Sequence, residues 1–286
     1  MSNSIHWFPG HMAKARRLIE EKIQLIDIVI EIVDARIPYS SKNPIMDKLT
    51  FNKTKVIIMS KIDLADPKQT QKWKKHYQEQ GFEVITSNLK EFKELDEIIH
   101  RVDIELAPKR EKDAKRGLKP RAVRALIVGI PNVGKSTLIN KMAKRSAAKT
   151  GNKAGVTKAL QWIKVNKDFE LLDSPGILWP KLDDKEVAKN LALTGAIKDE
   201  ILPKDELCIE AIKFMNTHYQ DAFYKRYSIE SMDNNDLDSI VAVIEHIGQL
   251  RGCLIKKGEV DYDKVYDIVL REIRDNSITR MTFDYE

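Results

Sequence analysis

GIPNVGKST, residues 129–137, is the stretch that decides the fold. It matches the phosphate-loop pattern G-x-x-x-x-G-K-[ST], in which glycines let backbone N–H groups close around phosphate oxygens at the positive end of a helix. Its surroundings fit the motif. AVRALIVG (122–129) reads as a buried strand entering the loop, and GKSTLINKMAKR (134–145) as a helix leaving it. In such a loop Lys135 reaches the β- and γ-phosphates and Ser136 ligates Mg²⁺, a hard cation that prefers oxygen. Asn132, Val133, Gly134, Lys135, Ser136 and Thr137 are the candidate nucleotide contacts.

Outward from the loop, short apolar runs alternate with amphipathic ones. DIVIEIVD (27–34), KVIIMS (55–60) and FEVITS (82–87) read as strands, and ALQWIKV with FELLD (169–173) as a hairpin turning at Asn166–Lys167. HMAKARRLIEEKIQLID (11–27), PKQTQKWKKHYQEQG (67–81) and FKELDEIIHRVDIEL (92–106) read as helices. This alternation means an α/β fold with a mostly parallel sheet. Past residue 180 the texture becomes helical. Leu207, Ala211, Ile212 and Met215 recur at helical spacing, and LDSIVAVIEHIGQL (237–250) and YDKVYDIVLREIRDN (262–276) are amphipathic. The expected division is a nucleotide-binding domain over 1–180 and a small all-α domain over 185–286.

The loop predicts a nucleotide, and SKID (60–63) names the base. It resembles the Asn/Thr-Lys-x-Asp element of GTPases, with Ser60 in place of the commoner Asn. A carboxylate at Asp63 accepts from N1–H and the N2 amino group of guanine, a donor pair that adenine lacks. The Lys61 stem lies over the base plane, and Ser87 and Asn88 stand where GTPases contact the guanine O6. Gly155-Val156-Thr157 resembles switch one, whose Thr157 meets Mg²⁺ when a γ-phosphate is present. Asp173-Ser174-Pro175-Gly176 resembles switch two, with Asp173 holding Mg²⁺ through water and the Gly176 N–H on the γ-phosphate. GTP is thus the expected substrate, with Lys135 and Thr157 as candidate catalytic groups. The residue after Gly176 is Ile177, where many GTPases use a water-orienting glutamine. The base reader precedes the phosphate loop, so the chain reads as a circularly permuted P-loop GTPase, and switch two leads straight into the helical region.

The composition agrees. Of 286 residues 42% are hydrophobic and 32% charged, enough for a core and a soluble surface. There is no signal-peptide pattern and no apolar run long enough for a bilayer. Cys208 and Cys253 lack ligand spacing and are expected to be reduced thiols of a cytoplasmic protein. The net charge of +6 raises the prospect of a polyanionic partner. The run KREKDAKRGLKPRAVR (109–124), with eight basic residues against two acidic, is either a solvated linker or a nucleic-acid contact.

WFPGHMAKA (7–15), DARIP (34–38), the permuted motif order, DSPGILWP (173–180), RGCL (251–254) and YDK (262–264) together resemble the bacterial ribosome biogenesis GTPase A family, over essentially the whole chain. The resemblance implies a cytoplasmic, monomeric GTPase acting late in assembly of the large (50S) ribosomal subunit. It implies hydrolysis stimulated by that immature subunit and a helical domain that binds ribosomal RNA. It also implies that His11 takes over the role missing at Ile177, where the residues alone favour a histidine that caps or packs the first helix. In related GTPases an asparagine at the position of Asn132 coordinates K⁺, which stabilises transition-state charge. Otherwise Asn132 simply shapes the loop. Arg251, Lys256, Lys257, Lys264, Arg271 and Arg274 are candidate RNA-phosphate contacts as a cluster, though any one of them is also an ordinary solvated charge. Two other readings stay open: a nucleotide-gated RNA-binding module whose hydrolysis is incidental, and an ATPase should Asp63 not read guanine.

Overall fold

IVIEIVD and TKVIIMS, runs with almost no polar face, form the centre of the sheet, as strands covered on both sides must. The computed structural model describes residues 5–6, 10–91, 93–144, 160–176, 178, 181–182, 184–198 and 201–285, with backbone alone at 5–6, 10–13, 15 and 181–182. In chain order the elements are β1 (Ile5–His6), α1 (Gly10–Lys22), β2 (Ile28–Asp34), α2 (Pro44–Leu49), β3 (Thr54–Ser60), α3 (Pro67–Glu79), β4 (Glu83–Ser87), α4 (Leu95–Lys115), β5 (Val123–Val128) and α5 (Lys135–Met142). They continue with β6 (Gln161–Lys164), β7 (Phe169–Asp173), β8 (Lys181–Leu182), α6 (Lys185–Leu193), α7 (Lys204–His218), α8 (Gln220–Tyr227), α9 (Leu237–Leu250) and α10 (Tyr262–Arg274).

The main sheet runs β4-β3-β2-β5-β7-β6. Its first five strands are parallel, and β6 closes the edge antiparallel to β7. The chain first builds outward from β2 through β3 to β4, then crosses back to place β5 on the other side of β2. That reversal between β2 and β5 opens a crevice at the carboxyl ends of the strands, where open α/β sheets bind ligands. β1 pairs antiparallel with β8, His6 opposite Lys181, so the amino-terminal segment is tied to the chain just past switch two.

Local chemistry explains several element starts. Asn43, Asp66 and Asp184 cap α2, α3 and α6 with side-chain oxygens on the first free N–H groups, and Pro44 and Pro67 stand at the first helical positions. In the helical region the predicted stripe Leu207, Ala211, Ile212 and Met215 is wholly buried, against Val265, Val269 and Ile273 of α10 among others. Each such Leu or Ile contributes about 1.5–3 kcal/mol when fully buried. The buried residues of the helical region and the central strands belong to one continuous core cluster. A second cluster, with Trp73 and Tyr77, fills the space beneath α3.

The structure departs from expectation in four places. α4 continues past residue 106 through Pro108 to Lys115, and on this extension Lys109 forms an ion pair with Asp27. Asp27 also takes Arg121 at 2.8 Å and the Arg124 N–H at 3.0 Å, so part of the basic run is structural. α2 and α6 were not foreseen, and β8 is a strand beyond residue 180. The last residues are not a helical tail. Met281 N–H donates to Leu64 O (3.1 Å), Phe283 N–H to Arg36 O (2.7 Å), and Trp73 Nε1–H to Asp284 O (2.7 Å). This strap lays the chain end across the loops that follow β2 and β3.

Phe283 is 6% exposed and packs on Phe214 at a ring separation of 5.0 Å. Phe283→Ala is expected to destabilise the protein by about 3–5 kcal/mol, measured as a lower urea midpoint at unchanged slope.

Candidate functional site

Every described nucleotide motif lies at a carboxyl end of a parallel strand. Asp34 ends β2, Ser60 ends β3, Ser87 ends β4, Asp173 ends β7, and the phosphate loop follows β5. Asp34 is in register with Ser60, and Ser60 with Ser87. Motifs scattered from residue 34 to residue 176 therefore share one edge.

The phosphate loop is shaped by close approach. A Cβ at Gly129 (φ +155°) would lie 2.7 Å from the Ile32 carbonyl oxygen, and one at Gly176 would lie 3.0 Å from both Lys135 Nζ and Pro131. At Gly129 only glycine allows this fit, and at Gly176 a side chain would press on Pro131 and on the lysine that switch two meets. Lys135 is buried, and its ammonium donates to Gly129 O (2.9 Å) and Ile130 O (2.8 Å). Burial lowers its pKa to about 8, with Asp173 working the other way. Burial pushes Asp173 up to about 6, opposed by Lys135. Asp173 is 2% exposed and its Oδ1 has no hydrogen-bond partner among the described residues. Both charges are short of compensation. An oxygen-only donor with an orphaned atom, beside a half-buried Ser136 at the first turn of α5, fits a hydrated divalent cation; a bound phosphate would answer Lys135. No group of three or more metal-binding side chains occurs among the described residues.

The base reader is held from below. Ser60 is fully buried, and its hydroxyl lies 2.7 Å from Val133 O and 3.0 Å from Val33 O. Ser60 was expected at the nucleotide; it instead ties the base-reading strand to the phosphate loop. The Ser87 hydroxyl is likewise buried and donates to Glu94 Oε2 at 3.0 Å, so Asn88, half-buried next to it, is the side chain left at this strand end. Asn88 Oδ1 accepts from the Lys90 N–H at 3.1 Å. Asp63 remains reachable, its Oδ2 paired at 3.0 Å with a largely exposed Lys90. Exposed pairs of this kind are worth about 0–1 kcal/mol and yield readily to a ligand.

Sequence reading missed Asp34 and Arg36 as working residues. Arg36 grips Asp34 with Nε on Oδ1 (3.0 Å) and Nη2 on Oδ2 (2.8 Å), and Lys61 Nζ reaches Asp34 Oδ2 at 2.7 Å. Burial opposes the Asp34 charge, but Arg36 and then Lys61 outweigh it and hold the carboxyl well below the usual range. The available signal was an acidic residue ending a buried strand with an arginine two positions on. Asn132 (φ +60°) donates its amide to Gly195 O at 2.9 Å.

Among the basic residues of the helical region, Lys256, Lys257, Lys264 and Arg271 are exposed, Lys264 pairing with Asp261 at 2.8 Å. Two expectations need correction. Arg251 sits 3.4 Å from Glu272 and stacks over Tyr227, and Arg274 donates to Leu193 O (3.1 Å) and Ala192 O (2.8 Å). Both are half-buried and engaged within the fold rather than turned out as phosphate contacts. Thr157, Ile177, Trp179 and Pro180 lie outside the described residues; His11 is described by its backbone, in α1. No helix among the described residues is long and apolar enough to cross a membrane.

Residues 124–246 match the family described as 50S ribosome-binding GTPase, and residues 45–183 match the RsgA GTPase family. Ribosome biogenesis GTPase A of Bacillus cereus is 48% identical over 280 residues, covering 98% of this chain and 93% of that protein. The protein of the same name from Priestia megaterium is 49% identical over 282 residues, covering 98% and 96%. A GDP-bound structure of YlqF superimposes with a TM-score of 0.65 at 27% identity, covering 94% of this chain and 99% of that one. GNP-bound YlqF from T. maritima gives 0.62 at 26% identity, covering 96% and 100%. The chain belongs to the ribosome biogenesis GTPase A family and is a GTP hydrolase with the P-loop GTPase fold and a helical carboxyl-terminal region.

The depressed Asp34 pKa sets a pH dependence. Below the unfolded carboxylate pKa of about 3.9 the unfolded chain takes up a proton that the folded chain refuses. The stabilisation is therefore complete above that pH and lost as pH falls below it. Asp34→Asn leaves buried cations unpaired and is expected to cost about 3–5 kcal/mol at pH 7. In urea unfolding the gap to the parent should narrow below pH 4.

Proposed function

We propose that this member of the ribosome biogenesis GTPase A family binds the immature large ribosomal subunit and promotes its late assembly, with GTP hydrolysis stimulated by that subunit. The reading is supported by the names of the relatives from Bacillus cereus and Priestia megaterium, both called ribosome biogenesis GTPase A. It draws also on the positive charge of the chain and the exposed Lys256, Lys257, Lys264 and Arg271. The observation that carries it is the gathering of base reader, phosphate loop and switch two at one sheet edge, with β8 and the helical region following directly on switch two. Residues 1–180 carry the nucleotide chemistry and residues 185–286 the RNA contacts. The protein works as a monomer in the cytoplasm.

In this reading Asp63 accepts from the guanine edge, the Lys61 stem covers the base and Asn88 borders O6. Lys135 gives up its two carbonyl partners for the β- and γ-phosphates, which removes the cost of its burial. Gly176 presents its N–H to the γ-phosphate. Ser136, Thr157 and Asp173 would hold Mg²⁺, which would supply charge neutralisation for the phosphates, and Asn132 would contribute to a K⁺ site. Asn132 would have to turn its amide from Gly195 to do so.

His11 orients the attacking water in place of Ile177. Two facts support it: Ile177 has no acid–base chemistry, and His11 follows His6 by five residues, as Lys181 follows Gly176. The His6–Lys181 pairing thus leaves His11 and Gly176 each within about 17 Å of chain from that pair. The second reading, an RNA-binding module with incidental hydrolysis, is favoured only by Ile177.

GTP turnover with and without immature 50S particles separates the two. Wild type is expected to accelerate on adding the particle, and His11→Ala to lose about 100-fold or more of the stimulated rate with nucleotide binding intact. No stimulation of wild type would reject the subunit-activated reading, and full stimulation of His11→Ala would reject only the histidine role.

A further inference from the structure

The carboxyl end of α6 is where the nucleotide site and the helical region meet. A helix leaves its last four carbonyls without intrahelical partners, and cations are favoured at that end. At α6 the donors come from three separate parts of the chain. Arg274 of α10 takes Ala192 O and Leu193 O at 2.8 and 3.1 Å. Arg36 Nη2 takes Thr194 O at 3.2 Å. Asn132 of the phosphate loop takes Gly195 O at 2.9 Å.

We propose that Arg36 is a positioning residue for the guanine base, and that through Thr194 it makes the base site and the helical region respond to one another. The proposal rests on the reading of Lys61 and Asp63 as the base-binding pair. Arg36 and Asp34 side chains are 4% and 3% exposed, so neither can turn to water for a substitute partner. The planar guanidinium satisfies both Asp34 oxygens at once, which fixes the carboxylate plane. Lys61, in a left-handed backbone conformation (φ +58°) as the chain leaves β3, is anchored through that same carboxylate. Its stem is thereby held along one line, over the base. Because the fork also bonds Thr194, a displacement of α6 must strain the grip on Asp34 and hence move Lys61. The coupling is reciprocal, so a base that fixes Lys61 steadies the α6 end. Asn132 on Gly195 gives the phosphate loop a parallel link one residue further on.

The test combines two readouts on the full chain. Binding of fluorescent GDP is measured for wild type, Arg36→Lys, Arg36→Gln and Asp63→Ala, and hydrogen exchange of residues 193–198 is measured with and without saturating GDP. Arg36→Lys keeps the charge but loses the fork, so it is expected to weaken GDP binding about tenfold while urea unfolding shows a folded protein. Arg36→Gln should be weaker still. In wild type GDP should slow exchange at 193–198, and in Arg36→Lys at saturation that protection should disappear. Wild-type GDP affinity in Arg36→Lys would overturn the positioning role. Absence of GDP-dependent protection in wild type would overturn the coupling whether or not any variant folds. Unchanged GDP binding in Asp63→Ala would remove the base-site reading and this proposal together, whereas loss at Asp63 with none at Arg36 removes this proposal alone.

Discussion

A carboxylate taken out of water must keep its cations close, and Asp34 is such a carboxylate. With about 2% of its surface exposed, it is held by the Arg36 fork on one side and the Lys61 ammonium on the other. Losing the carboxylate would leave the buried Arg36 guanidinium and the Lys61 ammonium without compensation, which costs several kcal/mol. The pair therefore ties the loop after β2 to the loop after β3. The strap from Met281 to Asp284 then rests on those same loops, with Phe283 N–H on Arg36 O and Met281 N–H on Leu64 O. One electrostatic requirement at the end of a central strand thus arranges the base reader, the α6 end and the carboxyl terminus around itself.

The permuted order has a physical reading. A nucleotide site on a parallel sheet depends on which strand ends lie side by side, and the peptide order of those strands is secondary. Ser60 bonded to Val133 O joins the base reader to a phosphate loop more than seventy residues later in the chain. What the order does change is the connection leaving switch two. Here it runs through β8, paired with the amino-terminal β1, and then into α6. Switch two is therefore connected through β8 both to the amino-terminal segment that carries His11 and to the helical region.

Much of this was legible in the sequence. The parallel sheet and the long helices of the carboxyl-terminal half follow from periodicity, because those elements bury continuous apolar faces, while the phosphate loop and the motif order follow from residue types at motif spacing. The unseen parts depend on polar contacts between distant residues. Nothing local predicts that Ser60 and Ser87 turn inward, since a serine at a strand end serves ligand or framework equally well. Arg251 and Arg274 carry the same charge as Lys256 and Lys257, and only the placement of Glu272 and of the α6 carbonyls engages the first two within the fold. The strap at 281–284 is four residues of no marked periodicity, held by backbone bonds to loops two hundred residues away.

Joined by a continuous core and by the bonds at the α6 end, the nucleotide site and the helical region are expected to unfold as one cooperative unit. Scanning calorimetry with and without GDP tests it most directly. A single transition, with calorimetric and van't Hoff enthalpies equal and the whole peak moved upward by GDP, is the predicted result. Two resolved transitions, of which GDP moves only one, would contradict it.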